Sequence, residues 1–184
     1  MCGEGRTFFA GADISEFGKP MQSPSLNDVI FEFENSNKPI VAALHGTPLG
    51  GGLELAMGCN YRVALSSTNL GLPEVKLGII PGAGGTQLLP RIIGIQEAKK
   101  LIYSGAKIDS EYALKIGLVD EVCKVKNLKE KGEKIVKSFL SSSKHSIKAS
   151  KTCINEGFSM DIKSSLNIEF REYIKTLDTY NFKS

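Results

Sequence analysis

Two glutamates stand in settings that suit acid–base chemistry. Glu54 follows directly on a triple glycine, in the first turn of a predicted helix, and Glu74 ends the segment Gly71–Leu72–Pro73–Glu74 among apolar neighbours. Carboxyl groups in apolar surroundings have raised pKa values, as a proton-transfer catalyst working near neutrality requires. The pattern alone leaves a plainer alternative open, in which Glu54 favours the positive end of the helix dipole and Glu74 is a surface turn residue.

Glycines beside these glutamates could supply a complementary chemistry. A glycine at a helix N-terminus leaves its N–H without an intrahelical acceptor, so Gly51 could donate to a developing oxyanion. The loop of residues 10–13, Ala-Gly-Ala-Asp, could supply a second N–H donor in the same way. Two donors and two carboxylates together form a set that could stabilise an enolate next to a centre of proton transfer.

Other chemistries find little support in the sequence. The glycine-rich segments 50–52 and 82–85 match neither a P-loop nor a dinucleotide-binding fingerprint. Neither histidine, His45 or His145, has a convincing partner for nucleophilic catalysis, and two histidines with scattered cysteines argue against a metal site. The chain has four widely separated cysteines, which fit ordinary thiols of a reducing compartment: Cys2, Cys59, Cys123 and Cys153.

Charge and hydropathy exclude two further classes of protein. A net charge of +3 without an aromatic–basic cluster argues against nucleic-acid binding. No apolar run approaches the roughly 18 residues that a membrane span requires. The composition is that of one ordinary globular domain.

The hydrophobic pattern predicts an α/β core followed by helices. Strands and helices alternate up to residue 122, and only amphipathic helices follow, so we divide the chain into a core, 1–122, and a helical region, 123–184. Short apolar runs between turn signals predict strands at 40–44, 61–65, 70–72 and 118–122, and residues 7–9 are expected to end another strand. Helices are expected at 26–33, 53–57, 96–103, 110–116, 124–140, 147–156 and 161–177, with Asp109 and Gly117 as caps, and a helical stretch through residues 88 and 89 follows a glycine loop at 82–86.

Five segments, in this order, resemble the crotonase (enoyl-CoA hydratase/isomerase) superfamily. They are Phe-Ala-Gly-Ala-Asp-Ile at 9–14, Lys-Pro-Ile-Val-Ala-Ala at 38–43, Gly-Gly-Gly-Leu-Glu-Leu-Ala at 50–56, Leu-Pro-Glu-Val-Lys-Leu-Gly at 72–78 and Ile-Pro-Gly-Ala-Gly-Gly-Thr-Gln at 80–87. The segments 45–47 and 70–77 look most like the hydratase part of bifunctional enoyl-CoA hydratase/3-hydroxyacyl-CoA dehydrogenases. The implied fold is a crotonase-like (ClpP/crotonase) spiral of ββα units with a helical C-terminal extension.

The resemblance implies a role for each residue of these motifs. Hydratases of the family use two glutamates, here Glu54 and Glu74, whereas its isomerases often keep only the second, so the pair favours hydration. The implied oxyanion donors are the N–H groups of Ala12 and Gly51. The same motifs imply a set of substrate-binding positions: Ala10, Gly11, Asp13, Ile14, Gly50, Pro73 and Gly82.

The implied reaction is syn addition of water to a trans-2-enoyl-CoA thioester in fatty-acid β-oxidation. The thioester oxygen would accept from the two N–H groups while Glu54 activates the water and Glu74 gives a proton to Cα. The resemblance implies neither a metal nor a redox cofactor, because the coenzyme A thioester itself makes the α-carbon acidic. The same site could move a 3-enoyl double bond to position 2, so an isomerase stays an alternative.

The sequence also departs from the family pattern. Family domains normally begin with a strand pair, a helix and a third strand before the loop at 10–13, and these N-terminal strands are missing here. Family chains also continue past the helix that here ends near Leu177, so truncation at both ends is expected. A non-catalytic fragment or assembly subunit is therefore a further alternative. Leu88 replaces a frequent family arginine, which is expected to affect packing rather than chemistry.

The C-terminal region carries expectations about partners and place. Its helices resemble the family's trimerisation region, so a homotrimer or a dimer of trimers is expected. Lys144, Lys148 and Lys151 could meet coenzyme A phosphates, although ordinary surface lysines are the simpler interpretation. The implied location is the cytoplasm of a bacterium, or the mitochondrion or peroxisome of a eukaryote.

Overall fold

A small parallel sheet carries the elements that hold Glu54 and Glu74. The computed structural model of the chain describes residues 1–11, 23–124 and 127–178. Within these ranges lie five strands, β1 (Val41–Leu44), β2 (Tyr61–Leu65), β3 (Asn69–Gly71), β4 (Lys107–Asp109) and β5 (Glu121–Cys123). The strands β1, β2 and β5 form a parallel sheet with β2 in the middle, whereas β3 and β4 form an antiparallel pair.

Helices surround the two sheets. In the described ranges they are α1 (Leu26–Asn35), α2 (Gly51–Met57), α3 (Gly85–Ile93), α4 (Ile95–Ser104), α5 (Ser110–Lys115), α6 (Leu128–Leu140), α7 (Lys144–Gly157) and α8 (Ile162–Asp178), with a short 3₁₀ helix at Glu74–Leu77. The order of these elements agrees with the predicted α/β core followed by helices alone.

Local signals set the ends of the helices near the β3–β4 pair, as predicted. The carboxylate of Asp109 caps α5 by accepting from the N–H of Tyr112 at 2.7 Å, and Gly117 follows this helix with a φ of +80°. Gly105 ends α4 with a φ of +56°, in the left-handed region that glycine favours. Since α5 packs on β3 and β4, and α4 on the 3₁₀ helix, these ends help to position Glu74.

The apolar core holds α2 and the segment before Glu74 against the parallel sheet. Leu44 of β1, Leu53 of α2 and Leu72 are fully buried in one cluster. Burying such a side chain contributes about 1.5–3 kcal/mol to the free energy of unfolding. A second cluster, around Leu128 and Ile135, packs α6 against β1 and β2. The site therefore rests on well-packed elements.

One predicted strand is absent from the described structure. Residues 7–9 form no strand, although the side chain of Phe8 is buried and its N–H donates to the carbonyl of His45 at 3.0 Å. The pairing nearby is an isolated parallel bridge between Cys2 and Ala43. Because the chain turns at Gly5, where φ is +81°, the pairing does not continue to residue 7.

A second predicted strand lies later in the chain than expected. The apolar run at 118–122 predicts a strand, but β5 begins at Glu121. The N–H groups of Leu118 and Val119 turn back to the carbonyl of Ala113, at 2.8 and 3.3 Å, and so close α5. These apolar residues are buried as the end of a helix, which periodicity cannot distinguish from a strand in so short a run.

The last two helices pack mainly against each other. Lys151 of α7 ties this pair to the core, because its Nζ donates to the carbonyls of Phe33 and Ser36 at 2.7 and 2.8 Å and so satisfies the end of α1. In the part of the chain that the structure describes, no helix has the length and apolar character to cross a membrane.

Candidate active site

Glu54 is a buried carboxylate held by a glycine-rich loop. Its side chain projects from α2 and is 2% exposed, and its Oε1 accepts from the N–H groups of Ala83 and Gly85 at 2.8 Å each. Burial raises the pKa of Glu54 above its ordinary value, and the two N–H donors counteract part of that rise. One oxygen of Glu54 is thus fixed by backbone donors, which leaves Oε2 to act on another molecule.

Glu74 opens the 3₁₀ helix directly after Pro73 and is half-buried. Its Oε2 is buried and has no hydrogen-bond partner among the described residues. The carboxyl group lies over the start of α2, because a Cβ built on Gly50 would come within 2.6 Å of Oε1 of Glu74. A buried carboxylate oxygen without a partner is costly in a folded protein, and this one is suited to meet a ligand.

The two carboxyl groups influence each other. Burial raises the pKa of Glu74 above its ordinary value, its own backbone N–H counteracts part of that rise, and the charge of Glu54 raises it further. The N–H donors of Ala83 and Gly85 favour the ionised form of Glu54. Two neighbouring carboxyl groups with raised pKa values, one of them held by backbone donors, suit a paired general base and general acid.

Gly51 presents a backbone N–H at the start of α2. Within the described part of the chain this N–H donates to no acceptor. The loop before residue 12 packs against it, because a Cβ on Gly52 would overlap the carbonyl oxygen of Phe9, and a Cβ on Gly11 would lie 3.8 Å from the nitrogen of Gly51. A side chain at position 11 or 52 would clash with the opposite backbone, so glycine at both positions allows the loop at 9–11 to lie beside the start of α2.

The remaining sequence-predicted positions fall into two groups. Ala10 and Gly11 are exposed at the loop beside Gly51, and the carbonyl of Gly82 accepts from the side chain of Asn27 at 3.1 Å. The other predicted binding positions, including the second oxyanion donor, lie outside the described residues: Ala12, Asp13 and Ile14.

Two other sequence interpretations concern packing and charge. Leu88, at the position of the frequent family arginine, is partly buried, lies over Gly84 and packs against the core. Lys151 binds the end of α1, as described above, while Lys144 and Lys148 line a groove beside Pro39, at the end of β1 opposite to α2. This arrangement favours the interpretation of all three lysines as parts of the surface and its packing.

Sequence reasoning missed the donors that hold Glu54. Ala83 and Gly85 belong to the glycine-rich segment 82–85, which first raised the question of phosphate binding. Their N–H groups instead serve a carboxylate of this chain, a contact between residues about 30 positions apart. Across residues 1–11, 23–124 and 127–178, no three His, Cys, Asp or Glu side chains gather as a metal site would require.

The raised pKa values predict how stability depends on pH. The folded chain retains protons on Glu54 and Glu74 that the unfolded chain releases above about pH 4.3, so the free energy of unfolding falls as pH rises between the unfolded and folded pKa values. We expect urea denaturation of the Glu54→Gln/Glu74→Gln variant across the acidic range to show no such fall in the free energy of unfolding with rising pH. An unchanged dependence of the free energy of unfolding on pH in the double variant would contradict the raised pKa values of the two groups, and Glu130→Gln, at an exposed position of α6, serves as control.

Comparison with known proteins tests the family resemblance. Residues 1–184 match the family model described as enoyl-CoA hydratase/isomerase. The chain is 52% identical over 122 residues to the peroxisomal bifunctional enzyme of Danio rerio, covering 66% of this chain and 17% of that protein. It is 39% identical over 185 aligned positions to the short-chain-enoyl-CoA hydratase of Clostridium acetobutylicum, covering 97% of this chain and 70% of that protein.

A solved structure agrees with the fold. The crystal structure of an enoyl-CoA hydratase from Bacillus anthracis superposes with a TM-score of 0.88 at 37% identity, and the match covers 95% of this chain and 70% of that one. The resemblance drawn from five short motifs is therefore confirmed over the whole sequence, and so is the crotonase-like fold. The chain therefore belongs to the enoyl-CoA hydratase/isomerase family, which is also called the crotonase superfamily.

Proposed function

We propose that this chain adds water to trans-2-enoyl-CoA thioesters, as an enoyl-CoA hydratase of fatty-acid β-oxidation. The observation that carries the proposal is the pair of carboxyl groups beside the start of α2, one buried and one half-buried. Glu54 has one oxygen held by two N–H groups, and Glu74 has a buried oxygen without a partner among the described residues. Both carboxyl groups have raised pKa values, as acid–base catalysis near neutrality requires.

The proposed steps assign one role to each glutamate. Ionised Glu54 accepts a proton from water through its free Oε2, and the water oxygen forms a bond to Cβ of the substrate. Protonated Glu74 gives its proton to Cα, so that one water molecule has been added across the double bond, Glu54 carries a proton and Glu74 is ionised. The pair returns to its starting state when Glu54 releases its proton to solvent and Glu74 takes one up from solvent.

Backbone N–H groups stabilise the charge that develops on the thioester oxygen. Gly51 supports this role, because its N–H at the start of α2 has no acceptor in the described part of the chain. The resemblance assigns the second donor to Ala12, which follows the loop packed against Gly51 and Gly52. A single donor of this kind is worth about 3–4 kcal/mol in other oxyanion holes.

The substrate and assembly follow from the same proposal. The coenzyme A thioester supplies the acidity of Cα, so the reaction needs no further cofactor. Helices α7 and α8 expose large apolar side chains, which supports a homotrimer or a dimer of trimers: Ile154, Phe158, Ile162, Leu166 and Phe170. The proposed location is the cytoplasm of a bacterium, or the mitochondrion or peroxisome of a eukaryote.

An isomerase is the second candidate, because relatives carry both names. The chain is 36% identical over 182 residues to the "Enoyl-CoA isomerase/hydratase fer4" of Mycosarcoma maydis. Separate incubations with a trans-2-enoyl-CoA and a 3-enoyl-CoA discriminate the two functions. We expect faster formation of the 3-hydroxyacyl product from the 2-enoyl substrate. Conversion of only the 3-enoyl substrate, without hydration of its product, would favour the isomerase.

A further inference from the structure

Two peptide groups hold the carboxyl group of Glu54. The first joins Gly82 to Ala83, and its N–H donates to Oε1 of Glu54 at 2.8 Å. The second joins Gly84 to Gly85, and its N–H donates to the same oxygen at 2.8 Å. Because a trans peptide group is planar, its carbonyl oxygen lies on the side opposite to its N–H. The partner of each carbonyl therefore helps to set how the N–H points at Glu54.

The carbonyls of these two peptide groups have different kinds of partner. The carbonyl of Gly84 accepts from the N–H groups of Gln87 and Leu88, at 2.9 and 2.7 Å, as part of the start of α3. The carbonyl of Gly82 accepts instead from a side chain, because Nδ2 of Asn27 donates to it at 3.1 Å. The second peptide group is thus fixed by the helix that it begins, whereas the first depends on a side chain of α1, 55 positions away.

Helix α1 is well placed to hold this peptide group. Asn27 and Ile30 stand three residues apart and so lie on neighbouring positions of one helix face. The side chain of Ile30 is buried in a small apolar cluster with Ala83 and with Leu55 of α2. A capping box fixes the first turn of α1, which carries Asn27. The apolar contact and the amide hydrogen bond therefore act on the same short stretch of loop.

A hydrogen bond to the carbonyl of a peptide group polarises that group, so that its N–H becomes a stronger donor. Asn27, the peptide group and Glu54 thus form one chain of hydrogen bonds that ends on a carboxylate oxygen. We infer that Asn27 is a positioning residue for Glu54, acting through the peptide group that joins Gly82 to Ala83. It helps to hold Oε1 in place and leaves Oε2 for the water, a role in catalysis that rests on the proposed hydratase function.

The charged groups around Glu54 make the effect of Asn27 measurable. Glu74 on the 3₁₀ helix is the neighbouring carboxyl group, and the charge of Glu54 raises its pKa. The titratable groups on α1 and α3, the helices that pack against α2, are exposed at the surface: Asp28, Glu32, Glu34 and Arg91. Because Asn27→Ala alters none of these charges, a change in the titration of Glu54 in this variant must come through its hydrogen bonds.

Nuclear magnetic resonance tests the chain of hydrogen bonds without substrate. In Asn27→Ala the amide proton of Ala83 should move upfield, with a smaller change at Gly85, whose peptide group Asn27 does not contact. The carboxyl carbon of Glu54, assigned with Glu54→Gln, should titrate with a pKa higher by roughly 0.3–0.5, because a weaker donor favours the ionised form less.

A second asparagine of α1 supplies the matched control. Nδ2 of Asn35 donates to the carbonyl of Phe31 at 2.9 Å, near the other end of the helix. Asn35→Ala removes the same kind of hydrogen bond from an exposed position and should leave both spectra unchanged at Ala83 and Glu54. Since Asn27 is exposed as well and alanine favours a helix, circular dichroism should report the same fold for both variants.

The pH dependence of hydration provides the functional test. If ionised Glu54 is the base, kcat/KM of Asn27→Ala should be about two- to threefold below the parent on the acidic limb of the profile and equal to it on the plateau. A merely structural role would lower kcat/KM equally at every pH, together with the unfolding temperature, and that result would overturn the inference.

The two spectra separate this inference from the proposed function. A folded Asn27→Ala variant with parental shifts at Ala83 and a parental titration of Glu54 would overturn the inference even if the parent is an active hydratase. The same changes in Asn35→Ala would overturn it too. A parent without hydratase activity, but with the expected changes in both spectra, would contradict the proposed function and support Asn27 as the residue that positions Glu54.

Discussion

Replacing Glu74 by glutamine should lower kcat for hydration of a short trans-2-enoyl-CoA by about 10²–10⁴-fold, the usual contribution of a general acid or base. The amide keeps the size of the carboxyl group but has no acidic proton to give to Cα. Burial and the charge of Glu54 raise the pKa of Glu74, so its surroundings disfavour a charge that the neutral amide does not carry. Steady-state kinetics should therefore show the loss mainly in kcat, with KM little changed.

A stability measurement separates a chemical effect of Glu74→Gln from a structural one. The variant should unfold at the same temperature as the parent or higher at neutral pH, because it removes the cost of ionising a half-buried carboxyl group. Glu130→Gln is a matched control, since it makes the same change at an exposed position of α6. A folded Glu74→Gln variant with parental kcat would show that Glu74 is not the acid.

The second large effect is expected for Gly52→Ala. The added methyl group would overlap the carbonyl oxygen of Phe9 and approach the nitrogen of Gly11, so the loop must move away from the start of α2. That loop leads into Ala12, the proposed partner of Gly51 in binding the thioester oxygen. Loss of one such donor costs about 10²–10³-fold in kcat. Kinetics with the same substrate should show a decrease of that size.

A second glycine provides the control for this variant. Gly132→Ala places the same methyl group inside α6, where its nearest neighbour is the Cβ of Ala43 at 4.0 Å. This variant should keep parental kcat and gain roughly 0.5–1 kcal/mol in the free energy of unfolding, because alanine favours the helix. If Gly52→Ala stays folded and is as active as Gly132→Ala, the loop at 9–11 does not position an oxyanion donor.

The sequence predicted the elements around the site better than the contacts that complete it. The run at 40–44 and the triple glycine before Glu54 predicted a strand followed by a helix, because local turn and cap signals mark both ends. By contrast, Lys107–Asp109 carries no strand pattern, and it becomes β4 only by pairing with β3. Such a strand depends on tertiary contacts, which no local signal reports.

The same distinction applies to the candidate site. The local setting of Glu54 and Glu74 and the family resemblance brought them together as a hypothesis, and the structure gives a buried Glu54 and a half-buried Glu74, both with raised pKa values. The hydrogen bonds from Ala83 and Gly85 could not be predicted, because they join backbone groups to a carboxylate across a gap of about 30 residues. Sequence likewise could not predict that Oε2 of Glu74 has no hydrogen-bond partner among the described residues, because this depends on how the 3₁₀ helix packs over Gly50.

The most direct test follows the atoms of water into the product. The purified chain is incubated with a short trans-2-enoyl-CoA in heavy-oxygen water and, separately, in deuterium oxide, and the products are examined by mass spectrometry. The proposal predicts a 3-hydroxyacyl-CoA with solvent oxygen at Cβ and one deuterium at Cα, formed by the parent and not by Glu74→Gln. A folded, soluble parent that forms no such product would contradict the claim that this chain is a hydratase.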